Sequence, residues 1–509
     1  MEGFIGVTQL QAAESDLVKA DEHQTIKADY EHVGVDIVNP LILHAELGSL
    51  DQVKKLLDEG QLVDQEDDEG HTPLIAAVTA DKGNVVDYLL QAGCDVDYRN
   101  KEGNTALMFA VTSTNEGMVQ RLINAGACVS CKNNCNDSPL ILACCKGYLK
   151  IAKYLLEAGA SVSLPGRDGD APIICASRHG HTHIAKFLLS NGAKIDVENS
   201  FGDTALLCAA QYKRASTVNY LLRHGADVNH RNNMLETALI QAVSKSSLGI
   251  CKDLVKAGAE VNAVDSHGNT ALIYAARFDL VEIMKFLIES GANLNQINVH
   301  NKTALWFAVC HSVMSFSPCL HLLLSSGVHI GFELHQATSV GLLHVVHELL
   351  SHGGLPHLVC VSTFNIRSLP PHIQQLSPLS VALLTKRLDI ARYFIDIDFL
   401  TDYDVQCLPN DQKLKQFLKA NGKDESLRLL ESSFSQPWTL ESWCLLAISR
   451  AVGYDHVTRT RRVRDTGLPA VFQRRLLRGL ACVWLGQPPN PDMCALNLTI
   501  SECNKMLHH

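Results

Sequence analysis

The stretch "TALLCA", residues 204–209, returns at a fixed distance in both directions along the chain. Upstream, "APIICA" begins at Ala171, "SPLILA" at Ser138, "TALMFA" at Thr105 and "TPLIAA" at Thr72. Downstream, "TALIQA" begins at Thr237, "TALIYA" at Thr270 and "TALWFA" at Thr303. Every step is 33 residues, and one more step back reaches "NPLILHA" at Asn39. A second landmark keeps the same beat: paired aliphatics close on a glycine at Gly60, Gly93, Gly126, Gly159, Gly192, Gly225, Gly258 and Gly291. Two independent markers in phase over nine units define an internal repeat.

The physics of one unit accounts for both markers. Thr or Ser at the head caps a helix, its side-chain oxygen accepting from an open N–H of the first turn. Proline, where present, takes the first helical position, where its missing donor costs nothing. The alanine five residues after the head, Ala77 through Ala308, is small because two helix layers touch there. The aliphatic pair fills the core of a second helix, which the glycine ends in a left-handed cap.

This pattern resembles the ankyrin repeat, two helices and a protruding β-turn. The resemblance covers residues 39–328, with an insertion, "SVMSFSPCLHLLLSSG", that delays the ninth glycine to Gly327. Phe332 to Gly354 and Ser377 to Ile395 read as two further, degenerate units.

Bulk composition fits a folded chain. Of 509 residues, 46% are apolar and 19% charged. A net charge of −10 argues against binding nucleic acid through an overall field. Seventeen cysteines show no framework spacing, and no secretory signal is visible at Met1, which together suit a reducing compartment. No apolar run approaches the length, roughly 18 residues, that a membrane span needs. The expected location is the cytoplasm, with the nucleus also open, and no membrane partner.

An array of this kind presents an extended concave face and carries no chemistry of its own. The informative positions are the inward pairs after the alanines: Cys145-Lys146, Arg178-His179, Gln211-Tyr212, Ser244-Lys245, Arg277-Phe278 and Cys310-His311. An acidic chain has gathered there a basic and aromatic stripe. Lys146, Arg178, His179, Gln211, Tyr212, Lys245, Arg277 and Phe278 are therefore the candidate substrate-binding residues, for a protein target with acidic and apolar features. The competing interpretation is a solvated polar surface with no partner.

No catalytic constellation is present: there is no Ser-His-Asp order, phosphate-binding glycine loop or HExxH helix. Cys128, Cys131 and Cys135 have zinc-like spacing but lie in one repeat's turn, and "GRDGDA" at Gly166 to Ala171 falls at another. No metal, cofactor or enzymatic activity is expected.

Beyond Thr401 the period is lost. In "TLESWCLLAISRAVG", Thr439 to Gly453, Leu440, Cys444 and Ile448 recur every four residues, and Ala447 completes a narrow stripe. After the basic run "RTRRVR" comes "GLPAVFQRRLLRGL", Gly467 to Leu480. These residues resemble the SOCS box. Its elongin-binding half is matched by Thr439, Leu440, Cys444 and Ile448; its cullin-binding half by Leu468 and Pro469, with Val471 where the family prefers proline. Following ankyrin repeats, the two halves resemble the ankyrin repeat and SOCS box family. Members are substrate receptors of cullin–RING ubiquitin ligases.

The resemblance implies an all-α fold: an ankyrin-repeat α-solenoid of about 11 repeats with β-turn fingers, followed by a small helical SOCS box. Leu440, Cys444, Ala447 and Ile448 would contact elongin C in its complex with elongin B, and Leu468, Pro469 and Val471 a cullin. That cullin would be cullin-5 with a RING protein, rather than cullin-2. The expected boundaries are an N-terminal extension (1–38), repeats one to nine (39–328), degenerate repeats (329–400), a helical linker (401–436), the SOCS box (437–480, its halves 439–453 and 467–480) and a tail (481–509). The alternative is a non-catalytic ankyrin scaffold whose C-terminal helices only cap the array.

Overall fold

The structure is a computed structural model that describes residues 39–312, 317–360, 375–397 and 399–434. The extension 1–38, Leu440, Cys444, Ala447, Ile448, Leu468, Pro469 and Val471 lie outside the described residues. The chain divides into two compact units, Met1–Ser200 and Phe201–His509. The fold is all-α, with a single two-residue antiparallel pairing, Val359–Cys360 with Gln375–Leu376, among the described residues.

The first unit holds five helix pairs: Pro40–Leu47 with Leu50–Asp58, Pro73–Thr79 with Gly83–Gln91, Ala106–Thr112 with Glu116–Asn124, Pro139–Lys146 with Leu149–Glu157, and Pro172–His179 with Thr182–Ser190. In the second unit six pairs follow, from Ala205–Gln211 with Ala215–Arg223 to Pro378–Leu384 with Leu388–Asp396. The heads act as the cap physics requires. Thr72, Ser138, Thr204, Thr237, Thr270 and Thr303 each accept from the backbone N–H three residues on. Thr105 departs from this, its hydroxyl buried without a partner. The small residues do close two layers: Ala77, Ala110, Ala143, Ala176, Ala209, Ala242, Ala275 and Ala308 are all fully buried.

A third landmark of the repeat lies five residues before the head and organises the fingers. Asn232 Oδ1 accepts from Met234 N at 3.0 Å and Glu236 N at 2.9 Å, while its Nδ2 donates to Asp203 Oδ1, in the preceding finger, at 2.9 Å. Asn298 repeats this, donating to Asn269 Oδ1 at 2.9 Å, and in the first unit Asn133 donates to Asn104 Oδ1 at 2.9 Å. One side chain thus folds its own turn and ties it to its neighbour. Replacing Asn232, which is 6% exposed, with alanine strands two backbone donors and removes one donor from the Asp203 carboxylate. It is expected to lower unfolding stability by about 2–3 kcal/mol in denaturant titration of the full chain.

Towards the end of unit 2 the heads change but the accounting is kept. Helix Glu333–Val340 begins without a cap; instead buried Glu333 accepts from Thr303 Oγ1 at 2.5 Å and Gly331 N at 2.7 Å. Ser377 and Thr401 each form a capping box, with Ser380 and Asp404, and the Ser377 hydroxyl also donates to Asp404. The segment expected as a linker forms helices Asp402–Gln406, Gln412–Ala420 and Asp424–Ser433. The last of these packs on Pro378–Leu384 and Leu388–Asp396, with Leu430 only 1% exposed.

His335 joins helix Glu333–Val340 to the short hairpin. Its Nε2 lies 3.1 Å from the His357 carbonyl and 3.2 Å from that of Leu376. Carbonyls only accept, so this nitrogen carries the hydrogen. Burial lowers its pKa to about 3. Between there and the ordinary value near 6.5 the unfolded chain binds a proton that the folded chain does not, so stability falls as pH falls. Wild type should lose about 1.5 kcal/mol more than His335→Gln between about pH 6.5 and about pH 5. Urea midpoints that shift equally for both proteins would contradict this.

Candidate partner-binding face

Fingers and first helices share one face of unit 2 because side chains bridge them. Gln241 Nε2 donates to Glu236 Oε2 at 2.6 Å, and the Tyr274 hydroxyl donates to Asp265 Oδ2 at 2.7 Å. Burial, helped by Asp265, pushes the Tyr274 phenol up to about 12, so it remains a donor at any physiological pH. One helical turn on, Phe278 stacks with Tyr274 at 6.2 Å between ring centroids, and the Arg277 guanidinium lies 5.9 Å from the Phe278 centroid, within reach of its π face. Phe278 is 46% exposed and Tyr212 47%. Lys245 and Arg277 are exposed, and Gln211 is half-buried.

The charges on this face are sorted. Its carboxylates are used internally: Asp203 by Asn232, Glu236 by Gln241 and Asn232, Asp265 by Tyr274 and two backbone N–H groups, Asp279 by Ser317 at 2.8 Å. Among the described residues Lys245 and Arg277 have no carboxylate in ion-pair contact. The cations face outward while the anions are spent on the fold.

The fingertips supply what the helix pairs lack. At one fixed register the tips of unit 1 are Glu69, Glu102, Cys135 and Asp168, whereas those of unit 2 are Phe201, Met234, His267 and His300. Successive tips are joined by backbone hydrogen bonds, Asn233 N to Phe201 O at 3.0 Å, Ser266 N to Met234 O at 2.9 Å and Val299 N to His267 O at 2.9 Å. Phe201 is 55% exposed, Met234 49%, Val299 62% and Ile297 53%. Beside Met234, Leu235 sits at φ 57° in the register where Gly202 has φ 75°. A branched side chain in the left-handed region costs about 1–2 kcal/mol. Leu235 is 42% exposed as well.

These fingertip residues lie outside the set expected from the helix ends. Their signal is present in the sequence all the same: at one phase, acids and small polar residues give way to Phe201 and Met234.

In unit 1 the stripe is different. Lys146 and His179 are exposed, and His179 stacks with His181 at 6.2 Å. Arg178, expected as an anchor for a partner, is half-buried and ion-paired within unit 1. It pairs with Asp170, which is buried and accepts from Asn199 Nδ2 at 2.8 Å. An alanine, Ala171, stands at this unit's head without a side-chain cap, and the turn before it is closed by Gly166 N donating to Asp170 O at 2.8 Å. No three metal-capable side chains converge among the described residues. Cys135 is held by Arg167, whose Nη2 lies 2.7 Å from its sulfur, while Cys131 hydrogen-bonds with Cys128.

A family model for ankyrin repeats, written as three copies, matches residues 17–100, 41–133, 84–166, 114–199, 173–265 and 239–333. These windows tile most of the chain, and it belongs to the ankyrin-repeat proteins. Comparison with curated proteins gave no match. The architecture is that of a protein-binding module, and no described helix is long and apolar enough to cross a membrane.

Proposed function

We propose that this ankyrin-repeat protein is the substrate receptor of an elongin B/C–cullin–RING ubiquitin ligase. The repeats bind a protein target, and Leu440, Cys444, Ala447 and Ile448 enter elongin C. Leu468, Pro469 and Val471 orient a cullin, most simply cullin-5, with its RING protein. The chain contributes no catalytic group. Its mechanism is proximity: holding target and ligase together raises the effective concentration of target lysines at the charged ubiquitin-conjugating enzyme, and the modified target is passed to the proteasome.

The observation that carries the reading is the order of motifs, ankyrin repeats and then the spaced Leu440, Cys444, Ile448 and Leu468-Pro469. A second observation favours it over a plain scaffold. Helix Asp424–Ser433 already covers the last helix pair of unit 2, so residues 439–480 are not required as the terminal cap. For the target, the outward cations Lys245 and Arg277, the rings of Tyr212 and Phe278 and the apolar tips Phe201, Met234 and Leu235 favour an acidic segment carrying apolar side chains.

The test is affinity purification of the full chain from cell extract, with elongins and cullins identified in the eluate. Elongins B and C together with one cullin support the proposal and name the cullin that tolerates Val471. Their absence leaves a scaffold acting through its repeats alone.

A further inference from the structure

Among the described residues of unit 1, the large apolar side chains left exposed are Leu47, at 52%, and Leu62, at 75%, and both belong to the first repeat. Leu47 ends helix Pro40–Leu47 at the register that carries Tyr212, Lys245 and Phe278 in unit 2. Leu62 stands in the first finger, "QLVDQEDDEGH", residues 61–71, which holds Asp64, Glu66, Asp67, Asp68 and Glu69 and no lysine or arginine. The next three fingers each carry at least one cation: Arg99 and Lys101, then Lys132, then Arg167. The first finger keeps its charge on the surface. Glu66, Asp68 and Glu69 are exposed, and the Asp68 carboxylate has no hydrogen bond or ion pair among the described residues. Lys101 reaches across from the second finger, yet its Nζ donates to the Asp68 carbonyl, at 2.6 Å, and not to that carboxylate.

The first repeat therefore presents what the unit 2 face receives, carboxylates together with exposed aliphatic side chains. On that face Lys245 and Arg277 have no carboxylate in ion-pair contact among the described residues, and Tyr212, Phe278, Phe201 and Met234 are exposed. We propose that the first repeat of one copy of this chain docks on the unit 2 face of a second copy. The two patches are different surfaces, so the contact is heterologous, each copy offering one repeat and one receiving face. Opposite charge steers the encounter and fixes the register, while Leu47 and Leu62 supply apolar area to be removed from water. The proposal rests on the target chemistry given above: the first repeat imitates the target, so self-association and target capture compete for one face.

The experiment is sedimentation velocity of the full-length chain over a dilution series, at low and at high salt. Association that grows with concentration and weakens at high salt is expected. Asp68→Lys and Arg277→Glu, both at exposed positions, should each weaken it by at least about tenfold. An equal mixture of the two variants should regain it, because the intact first repeat of one meets the intact face of the other. Carbodiimide coupling of mixed unlabelled and isotope-labelled wild type reads the contact without any variant. It should join Lys245 to an acid of residues 64–69 in peptides that carry both labels. A chain that stays monomeric throughout overturns the proposal, as does association that Arg277→Glu leaves unchanged or that couples other segments. Such a failure leaves the target and ligase readings standing, since each needs a single copy, and loss of elongin capture would leave the pairing standing.

Discussion

Alanine at Phe394 is expected to cost the end of unit 2 about 3–5 kcal/mol, the upper part of the range for a buried aromatic. Phe394 is fully buried on helix Leu388–Asp396, and its ring stacks with that of Phe399 at 5.3 Å and 30°, itself fully buried. The substitution removes the ring's burial, leaves a cavity, and takes away an aromatic pairing worth about 0.5–1.5 kcal/mol. Helix Asp424–Ser433 rests on the same helix, so its support goes too. Because repeat units touch mainly their neighbours, the loss should stay local. Hydrogen exchange is predicted to lose protection over 378–434 while helices Ala205–Gln211 and Ala238–Ser244 keep theirs. Phe394→Leu, which keeps most of the apolar volume, should cost under about 1.5 kcal/mol. A change below that in the alanine variant would mean that the two rings do not form the core of this region.

The repeat was legible because its landmarks are local. Thr204 caps its own helix, Ala209 meets its own layer, and the glycine that ends the second helix acts within one turn; each needs only residues a few positions away. What stayed hidden depends on partners beyond the local turn, eight residues off for Arg178 and 29 for Asn232. Asn232 looks like a turn residue, and only the folded fingers show its Nδ2 reaching Asp203. Arg178 occupies the phase of an exposed anchor, yet the turn at Arg167–Gly169 brings Asp170 against it and the two form an ion pair. The apolar tips are the opposite case, visible in register but unremarkable as sequence. Phe201 and Met234 become conspicuous only through their exposure among the described residues, 55% and 49%.

The repeats offer a face with sorted charges, while the proposed ligase recruitment rests on a short stripe of sequence. In that stripe Leu440 and Cys444 are the residues whose side chains would be most fully desolvated by a partner. Buried anchors of this kind cost about 2 kcal/mol or more each on truncation, so losing both should weaken binding by at least about a hundredfold. The measurement that bears most directly on the central claim is the affinity of the purified full-length chain for purified elongin B/C. Wild type should be set beside Leu440→Ala/Cys444→Ala, with hydrogen exchange over 39–434 as a control that the repeats are intact. Binding by wild type, lost by at least about a hundredfold in the double variant with unchanged repeats, is the predicted result. Absence of binding by wild type, or equal binding by both, would contradict the account.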